Sequence, residues 1–204
     1  MSSRERILDS AAKVFGQHGY RLTSMELVAQ ECGLTRQALY HHFESKEALF
    51  RAVVEAMLDG ACRAEQSAPL RREQAGKGLA DILVAQLEAR FRYLIDRIKG
   101  AAEAEELLSE HRRQTQDLHQ SFVDQKISSI VGTIERVCAA NKMALRDGMT
   151  PIELARCIEL AAHGLDLSKA DASLLLVLER SIRLLVAGAL PAAPPLIERQ
   201  SPRS

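Results

Sequence analysis

Four polar side chains in one short segment near the N-terminus carry groups that can read a nucleic-acid duplex: Arg36, Gln37, Tyr40 and His41. Guanidinium, amide, phenol and imidazole groups form hydrogen bonds with base edges and with phosphate oxygens. Leu34 and Leu39 stand in the same segment at positions that would anchor a short helix on a core. The segment therefore predicts an exposed recognition helix whose N-terminal end enters a major groove.

Such a helix needs a second helix and a tight turn to hold it at a fixed angle. Ala29 supplies the small side chain that lets two helices cross closely, and Gly33 tolerates the positive φ of a tight turn. We therefore expect a helix-turn-helix in which one helix ends near Glu31. The next helix is expected to be capped by Thr35 and to reach about His42.

Capping signals predict where the neighbouring helices begin. Residues 23–26 read Thr-Ser-Met-Glu, the pattern of a capping box in which the threonine caps and the glutamate reaches back. Ser45 would cap a further helix that begins at Lys46. The free N–H groups beside Thr23 and Ser24, and the ammonium group of Lys46, would then hold phosphates on the two sides of the groove.

Longer apolar stripes with helical spacing follow in the rest of the chain. Thr150 and Glu153 form a second capping box, with Pro151 at the first helical position. Together with the N-terminal segment, the patterns predict about nine helices and no strand, an all-α fold. Beyond the helix-turn-helix, the predicted helices cover about residues 4–17, 46–62, 79–98, 101–110, 118–137, 151–164 and 171–189.

The lengths of the predicted helices and the positions of the prolines divide the chain into three zones. Residues 1–50 carry short helices and form the first predicted domain, whereas residues 51–190 carry long helices and form the second. Residues 191–204 hold four of the six prolines and are predicted to be a flexible tail.

Composition excludes several classes of protein. The 204 residues include 27 basic and 27 acidic side chains, so coating of nucleic acid by bulk positive charge is excluded. No apolar run approaches the ~20 residues of a membrane span, and the N-terminus lacks the apolar core of a signal peptide. The four cysteines are scattered, which favours buried free thiols in the reducing cytoplasm.

No pattern for a metal, a cofactor or catalysis emerges. His41 and His42 are adjacent on a helix and point ~100° apart, so they do not chelate one ion easily. His111 and His119, if they share a helix, lie ~12 Å apart. The sequence contains no glycine-rich phosphate loop, no HExxH and no GxSxG. We therefore predict no metal, no cofactor and no enzymatic activity.

Residues 4–54 together match one known pattern at fixed spacing. They resemble the N-terminal domain of the TetR family of transcriptional regulators. The matching positions are Gly19-Tyr20, Thr23-Ser24-Met25-Glu26, Ala29, Gly33-Leu34-Thr35, Leu39-Tyr40-His41-His42-Phe43 and Ser45-Lys46-Glu47-Ala48-Leu49.

The resemblance implies a three-helix DNA-binding domain with a helix-turn-helix, followed by a larger helical domain for ligand binding and dimerisation. It implies a cytoplasmic homodimer that binds a palindromic operator in double-stranded DNA. A small-molecule effector would release the DNA, so the chain would be a ligand-responsive regulator, commonly a repressor. The positions implied to contact DNA are Thr23, Ser24, Thr35, Arg36, Gln37, Tyr40, His41, His42 and Lys46.

A polar ladder beside the apolar stripe of residues 79–98 has two interpretations. Gln86, Arg90, Tyr93 and Arg97 either form a solvated face or, if the ladder turns inward, orient a ligand in an apolar cavity. The second interpretation, extended to later helices, gives six candidate effector contacts: Gln86, Tyr93, His119, Phe122, Gln125 and His163.

The final helix is apolar on nearly every side, with aliphatic residues throughout 174–178 and 182–186 except Arg183. A helix of this type is buried. We expect it to form a four-helix bundle with the helix at 152–165 and the same two helices of a second subunit. The alternative is a central core helix within one chain.

Two other classes of function remain open at this point. The chain is alternatively an all-helical protein-binding adaptor, or a helical enzyme, that retains a vestigial DNA-binding head. Failure to bind any DNA would favour the adaptor, and turnover of a substrate by the purified protein would favour the enzyme.

Overall fold

The computed structural model describes residues 3–98, 116–163 and 172–191, and every regular element in these ranges is an α-helix. The predicted all-α fold is therefore confirmed. The helix predicted at 101–110 and the predicted tail from residue 192 onward lie outside the described residues. The helices are α1 (Ser3–Leu22), α2 (Met25–Cys32), α3 (Arg36–His42), α4 (Lys46–Gln74), α5 (Leu79–Ile98), α6 (Gln116–Asn141), α7 (Pro151–His163) and α8 (Ala172–Ala189).

An aromatic cluster holds the N-terminal helices together. The ring of Phe50 lies 5.1 Å from that of Phe15 and 4.9 Å from that of Tyr20, both in edge-on geometry. Helices α1, α2 and α3 with the first turns of α4 pack around these rings, and we call this part the head. Because Phe50 belongs to α4, the long helix is rooted in the head core.

The turn between α2 and α3 has the predicted geometry. Gly33 has φ 66° and ψ 31°, the left-handed conformation that glycine adopts without steric cost. Its N–H bonds the carbonyl of Gln30 at 3.0 Å, and the N–H of Leu34 bonds the carbonyl of Ala29 at 2.8 Å. These two bonds form a Schellman motif, which ends α2 and sets the direction in which the chain enters α3.

Local capping side chains start the helices, with one correction to the predictions. Thr35 and Ser45 cap α3 and α4 as predicted, and Thr150 with Glu153 forms the predicted reciprocal box at α7. The cap of α2, however, is Ser24, whose Oγ accepts a bond from the N–H of Leu27 at 3.1 Å. The expectation that the threonine at 23 caps this helix was wrong by one residue.

Helix α1 is broken near its predicted end, whereas α4 runs past its predicted end at about residue 62. Gly19 interrupts α1 with non-helical angles (φ 71°, ψ 170°), close to the predicted end near residue 17, and a short second segment reaches Leu22. Helix α4 continues through Pro69 to Gln74. Proline removes one backbone donor, but Pro69 is buried by tertiary packing, which overrides the local preference against helix.

A second, aliphatic core lies among α5, α6, α7 and α8. These helices, with the rest of α4, form what we call the body. Its most buried side chains include Leu83, Ile134, Leu154, Ile158 and Ile182, each at most 1% exposed. Helix α4 packs extensively against α5, so it physically joins the head core to the body.

Among the described residues, no helix combines the length and apolar character that a membrane crossing requires.

Candidate nucleic-acid interface

Helix α3 presents the predicted polar face to solvent. Leu39 is 0% exposed and anchors the helix, and Leu34 packs partly buried against the head core. Three side chains that we predicted to read DNA point outward: Arg36, Gln37 and His41 are exposed, and Tyr40 joins them at 40% exposure. The structure therefore brings these polar groups together on one surface.

Arg36 and Tyr40 form a pair on this surface. The guanidinium carbon of Arg36 lies 5.5 Å from the centroid of the Tyr40 ring. The side-chain hydrogen bond with Tyr40 raises the pKa of Arg36 above its ordinary value, so the guanidinium stays charged. A planar, charged guanidinium group stacked on an aromatic ring is a suitable hydrogen-bond donor to guanine or to phosphate.

The start of α2 exposes one of the two predicted residues there. Ser24 is exposed, and its hydroxyl lies beside the first free N–H groups of α2. Thr23 is 2% exposed, and its hydroxyl donates to the carbonyl of Gly19 at 2.7 Å. The Thr23 side chain thus closes the end of α1, and only Ser24 offers a hydroxyl at this edge.

Lys46 makes internal contacts at the opposite edge. Its Nζ lies 3.0 Å from the carbonyl oxygens of Tyr20 and Thr23 and 3.4 Å from that of Arg21. An ammonium group has one donor for each of these carbonyls. The charge also lies 4.4 Å from the centroid of the Tyr20 ring. Lys46 therefore caps the C-terminal end of α1, where a cation is favourable.

His41 and His42 lie at the other end of α3, beside an open groove of about 460 Å³. The guanidinium of Arg4 lies over the Phe43 ring, 5.3 Å from its centroid, at the same place. Within the described ranges, no group of three or more histidine, cysteine or acidic side chains is arranged to hold a metal ion.

Thr35 is exposed, but its hydroxyl accepts the N–H of Ala38 as the cap of α3.

This head matches known proteins. Residues 7–53 match the family model for bacterial regulatory proteins of the tetR family. The N-terminal segment of the chain is therefore similar to regulators of the tetR family. The chain is 40% identical over 52 residues to the HTH-type transcriptional regulator UidR of Escherichia coli, covering 26% of each chain. It is 30% identical over 93 residues to the HTH-type transcriptional repressor AcnR of Corynebacterium efficiens, covering 46% of this chain and 45% of that one.

The chain therefore spans less than half the length of these two curated relatives. Solved structures resemble it over nearly its whole length, with the fold as the shared property. SmeT, the repressor of the Stenotrophomonas maltophilia efflux pump SmeDEF, gives a TM-score of 0.64 at 20% identity and covers 95% of this chain and 93% of its own. Reduced Escherichia coli NemR gives 0.65 at 17% identity, over 95% and 100%.

The candidate effector contacts in the body do not form one group. Gln86 and Phe122 are buried, Tyr93 is half-buried, and Gln125 and His163 are exposed. The side chain of His119 lies outside the described residues. The ladder on α5 turns inward at Gln86, as one of the two interpretations predicted.

Tyr93 marks a close approach between α5 and α4. A Cβ at Gly60 would lie 1.8 Å from the Tyr93 hydroxyl oxygen, so glycine is required there. The guanidinium carbon of Arg97 lies 3.6 Å from the centroid of the same ring. The phenol is therefore held between α4 and a cation, and it packs these helices together.

Five buried polar or charged side chains form what we call the buried network: Glu65, Gln86, Arg90, Lys126 and Glu159. Gln86 and Arg90 were singled out from the sequence, whereas the other three were missed. Arg90 Nη1 lies 3.2 Å from Glu65 Oε2 and also bonds Glu159. Lys126 Nζ lies 2.8 Å from the second oxygen of Glu159. The interpretation of the ladder as a solvated face is therefore wrong for Arg90, which is 2% exposed.

A signal for these residues exists in the sequence. Glu159 stands four residues after Ala155 and one after Ile158, at a position where the apolar stripe of α7 expects a core residue. Lys126 interrupts the stripe of α6 between Phe122 and Ile130 in the same way. A charge at a periodic core position requires a buried partner, although periodicity does not say which.

The cysteines follow the predicted pattern only in part. All four are free, and burial raises the pKa of Cys32, Cys62 and Cys138, which keeps these thiols protonated. Cys157 is exposed on α7, which corrects the expectation of a buried thiol at that position.

Proposed function

We propose that this protein is a ligand-responsive, DNA-binding transcriptional regulator. In this proposal it binds a palindromic operator as a homodimer and acts as a repressor released by a small molecule. The observation that carries the proposal is the outward face of α3, where Arg36, Gln37 and Tyr40 are exposed while Leu39 is fully buried beneath them. Relatives named as transcriptional regulators and repressors support the same class of function.

The geometry of the head supports the following proposed DNA contact set. Arg36, Gln37 and Tyr40 enter the major groove and contact base edges, and His41 with His42 faces the flanking backbone. Ser24 binds phosphate with its hydroxyl and the free N–H groups of α2. Thr23 and Lys46 contribute by holding the end of α1 in place, since their polar groups are bonded inside the head.

The dimer is proposed to form through α7 and α8. Large apolar side chains on these two helices are exposed in the single chain: Ile152, Leu160, Leu176, Val177 and Leu184. Leu160 and Leu184 are 76% and 74% exposed. Exposed apolar side chains on two helices that pack against each other support an interaction site, and a twofold pairing of one face would cover them in both copies.

A matched pair of substitutions tests this interface. We expect Leu184→Glu to give monomers in sedimentation velocity and to weaken operator binding, because each dimer then buries two unpaired carboxylates. Leu70→Glu serves as the control, since Leu70 is an exposed leucine too (52%) but lies on α4. Dimers that persist in the Leu184→Glu protein would place the interface elsewhere.

Helix α4 is the proposed link between effector and DNA. Its first residues are fastened to α1, because Lys46 bonds the Tyr20 carbonyl and Glu47 accepts from the Tyr20 hydroxyl at 3.0 Å. Glu65 of the same helix belongs to the buried network, about 29 Å further along the axis at 1.5 Å per residue. An effector that prefers one position of α4 therefore changes the distance between the two heads and the DNA affinity.

Selection of bound sequences from random DNA tests the function directly. We expect a palindrome whose half-sites lie about one helical turn, roughly 34–36 Å, or a multiple of it apart. Arg36→Ala and Tyr40→Ala should each abolish enrichment, whereas Arg63→Ala, an exposed arginine on α4, should leave it intact. Failure to enrich any sequence would refute the proposal and favour the adaptor.

The salt dependence of operator binding tests the assignment of Lys46. Each phosphate contact adds about 0.9 to the slope of log affinity against log salt. Because residues 1–50 carry six basic and six acidic side chains, we expect a shallow slope. Lys46→Met should weaken binding without changing this slope, and a slope reduced by about 0.9 per subunit would instead assign Lys46 to phosphate.

A further inference from the structure

The open groove at the C-terminal end of α3 has walls from three helices of the head. Arg4 lies in the first turn of α1, His41 and His42 end α3, and Arg51 lies on α4. We call this surface the side groove. Its arginine, histidine and glutamate side chains are Arg4, His41, His42, Glu44, Arg51 and Glu55. A groove with so many charged or titratable side chains suits a charged partner better than an apolar one.

The side groove is continuous with the face of α3 that is proposed to read DNA. Tyr40 lines the groove, and its ring centroid also lies 5.5 Å from the guanidinium carbon of Arg36. The N-terminal residues of a recognition helix contact base edges, and the far end of such a helix contacts the backbone. A duplex bound on α3 therefore brings backbone phosphates to the side groove.

The Arg4 side chain is held beside this groove by an aromatic ring. Its guanidinium carbon lies 5.3 Å from the centroid of the Phe43 ring, and Phe43 is only 5% exposed. Arg4 itself remains exposed. Because the ring restricts a planar group that carries five donors, little further ordering is needed when the guanidinium binds a phosphate.

The two histidines decide the net charge of the side groove. Its two arginines and two glutamates cancel, so with neutral imidazoles the groove has no net attraction for a phosphate. Histidine is the side chain whose charge ordinarily changes between about pH 5 and pH 8, and His41 and His42 are both exposed in the last turn of α3. A nearby phosphate favours the charged imidazole, so DNA binding and protonation favour each other.

We propose that the side groove is a second contact site for the DNA backbone and that protonation of His41 and His42 sets its charge, so that operator binding takes up protons and strengthens as pH falls. The proposal rests on the function proposed above and adds a regulating condition to it. The carboxylates of Glu44 and Glu55 oppose phosphate binding while the imidazoles are neutral, and this opposition is overcome when the imidazoles gain charge.

Operator binding at about pH 8 and about pH 6, each over a series of KCl concentrations, tests the proposal. We expect the wild type to bind at least about tenfold more tightly at the lower pH, since each proton taken up changes the affinity by up to about tenfold per pH unit. The slope of log affinity against log salt should steepen by about 0.9 for each histidine that pairs with a phosphate. Replacing both histidines, His41→Gln with His42→Gln, should remove both pH effects.

Matched variants separate the side groove from the rest of the head. His18→Gln removes an exposed histidine of α1 that is not among the groove residues and should retain the pH dependence. Glu44→Gln removes an opposing carboxylate and should strengthen binding at about pH 8. Arg4→Gln should weaken binding and lower the salt slope by about 0.9 per subunit. Thermal unfolding of each variant at both pH values establishes that it is folded.

Three results would overturn the proposal. They are equal affinity at both pH values, a pH dependence that survives in the double histidine variant, and a pH dependence that the His18→Gln variant loses. A wild-type protein that binds its operator equally at both pH values retains the proposed function and loses the side groove as a contact. A protein that binds no duplex at either pH contradicts the proposed function itself, and the side-groove contact with it.

Discussion

The polar side chains of the head and of the body have their hydrogen-bond partners at very different distances along the chain. In the head, Thr35 and Ser45 each bond a backbone N–H three residues further on. In the body, Arg90 bonds Glu65 and Glu159, which are 25 and 69 residues away. The head thus consists largely of local signals, whereas the polar centre of the body exists only after distant helices have packed.

This difference also sets what each region tolerates. A cap at the surface can be replaced by water, so its loss is modest. A buried ion pair that loses one partner leaves a charge in a medium that cannot solvate it, so its loss is large. Single substitutions should therefore affect the two regions unequally, and the following predictions are ordered from the largest expected effect to the smallest.

Removal of the Arg90 guanidinium should have the largest effect. Arg90→Met leaves Glu65 without a cation and should lower the free energy of unfolding by about 3–5 kcal/mol, measured by chemical denaturation. Arg92→Met is the matched control, because Arg92 is 63% exposed and pairs with Glu88 on the surface of the same helix. The control should cost less than about 1 kcal/mol. Equal costs would show that burial does not distinguish the network.

Truncation of the recognition-helix anchor should come next. Leu39 is fully buried, so Leu39→Ala should lower the free energy of unfolding by about 3 kcal/mol through lost burial and a cavity. Operator affinity should fall as well, because Leu39 holds α3 against the head. Leu22→Ala, at a side chain that is 78% exposed, should leave stability nearly unchanged. A small effect of Leu39→Ala would mean that α3 is held by other contacts.

Loss of a head cap should have a smaller effect. Thr35→Ala removes the oxygen that accepts the N–H of Ala38 at 3.1 Å and should cost about 1 kcal/mol of unfolding free energy. Thr35→Ser keeps that oxygen and should retain most of the stability. If both variants lose the same amount, the cap is not the reason for the loss.

Acidification should have the smallest effect of the four changes. It should affect the contributions of the two buried carboxylates to stability with opposite signs. The pKa of Glu65 is raised above 4.5, so below neutral pH the folded state binds a proton more tightly than the unfolded state and is stabilised as pH falls. Glu65→Gln lacks this gain. The difference in Tm between wild type and Glu65→Gln should therefore shift in favour of wild type as pH falls toward 4.5. A constant difference would contradict the raised pKa.

Glu159 has the opposite sign. Burial acts to raise its pKa, but Arg90 and Lys126 outweigh burial and lower the pKa. Its charged form therefore stabilises the fold above the ordinary value of 4.5, and this contribution is lost as pH falls through the lowered pKa. As pH falls through the lowered pKa, the Glu159→Gln variant should therefore lose less free energy of unfolding than the wild type does.

Much of the head was predictable because its signals are short-ranged. Gly33 reports a left-handed turn, Thr35 and Ser45 report helix starts, and the exposed face of α3 follows from the leucine positions. The predicted cap at Thr23 was wrong because its hydroxyl bonds a carbonyl four residues earlier, and the contacts of Lys46 involve a residue 26 positions away.

The buried network of the body was predictable only in outline. Gln86 stood in a polar ladder with two open interpretations, and its inward direction depends on where α4 and α6 pack. Glu65 and Glu159 lie on separate helices without any shared spacing, so periodicity marks each as unusual and leaves its partner undefined. Gln125 was predicted to contact an effector, but it is exposed. Its Oε1 accepts a hydrogen bond from the Cys62 thiol at the margin of the core.

The sequence by itself determined the helical content, most of the helix starts, the turn at Gly33 and the polar face of α3, because each depends on interactions within a few residues of backbone. Only the tertiary structure decided which charges share the interior of the body and which of them bond one another. Burial converts weak surface charges into strongly coupled groups, and burial is a property of the packed helices and not of any one segment.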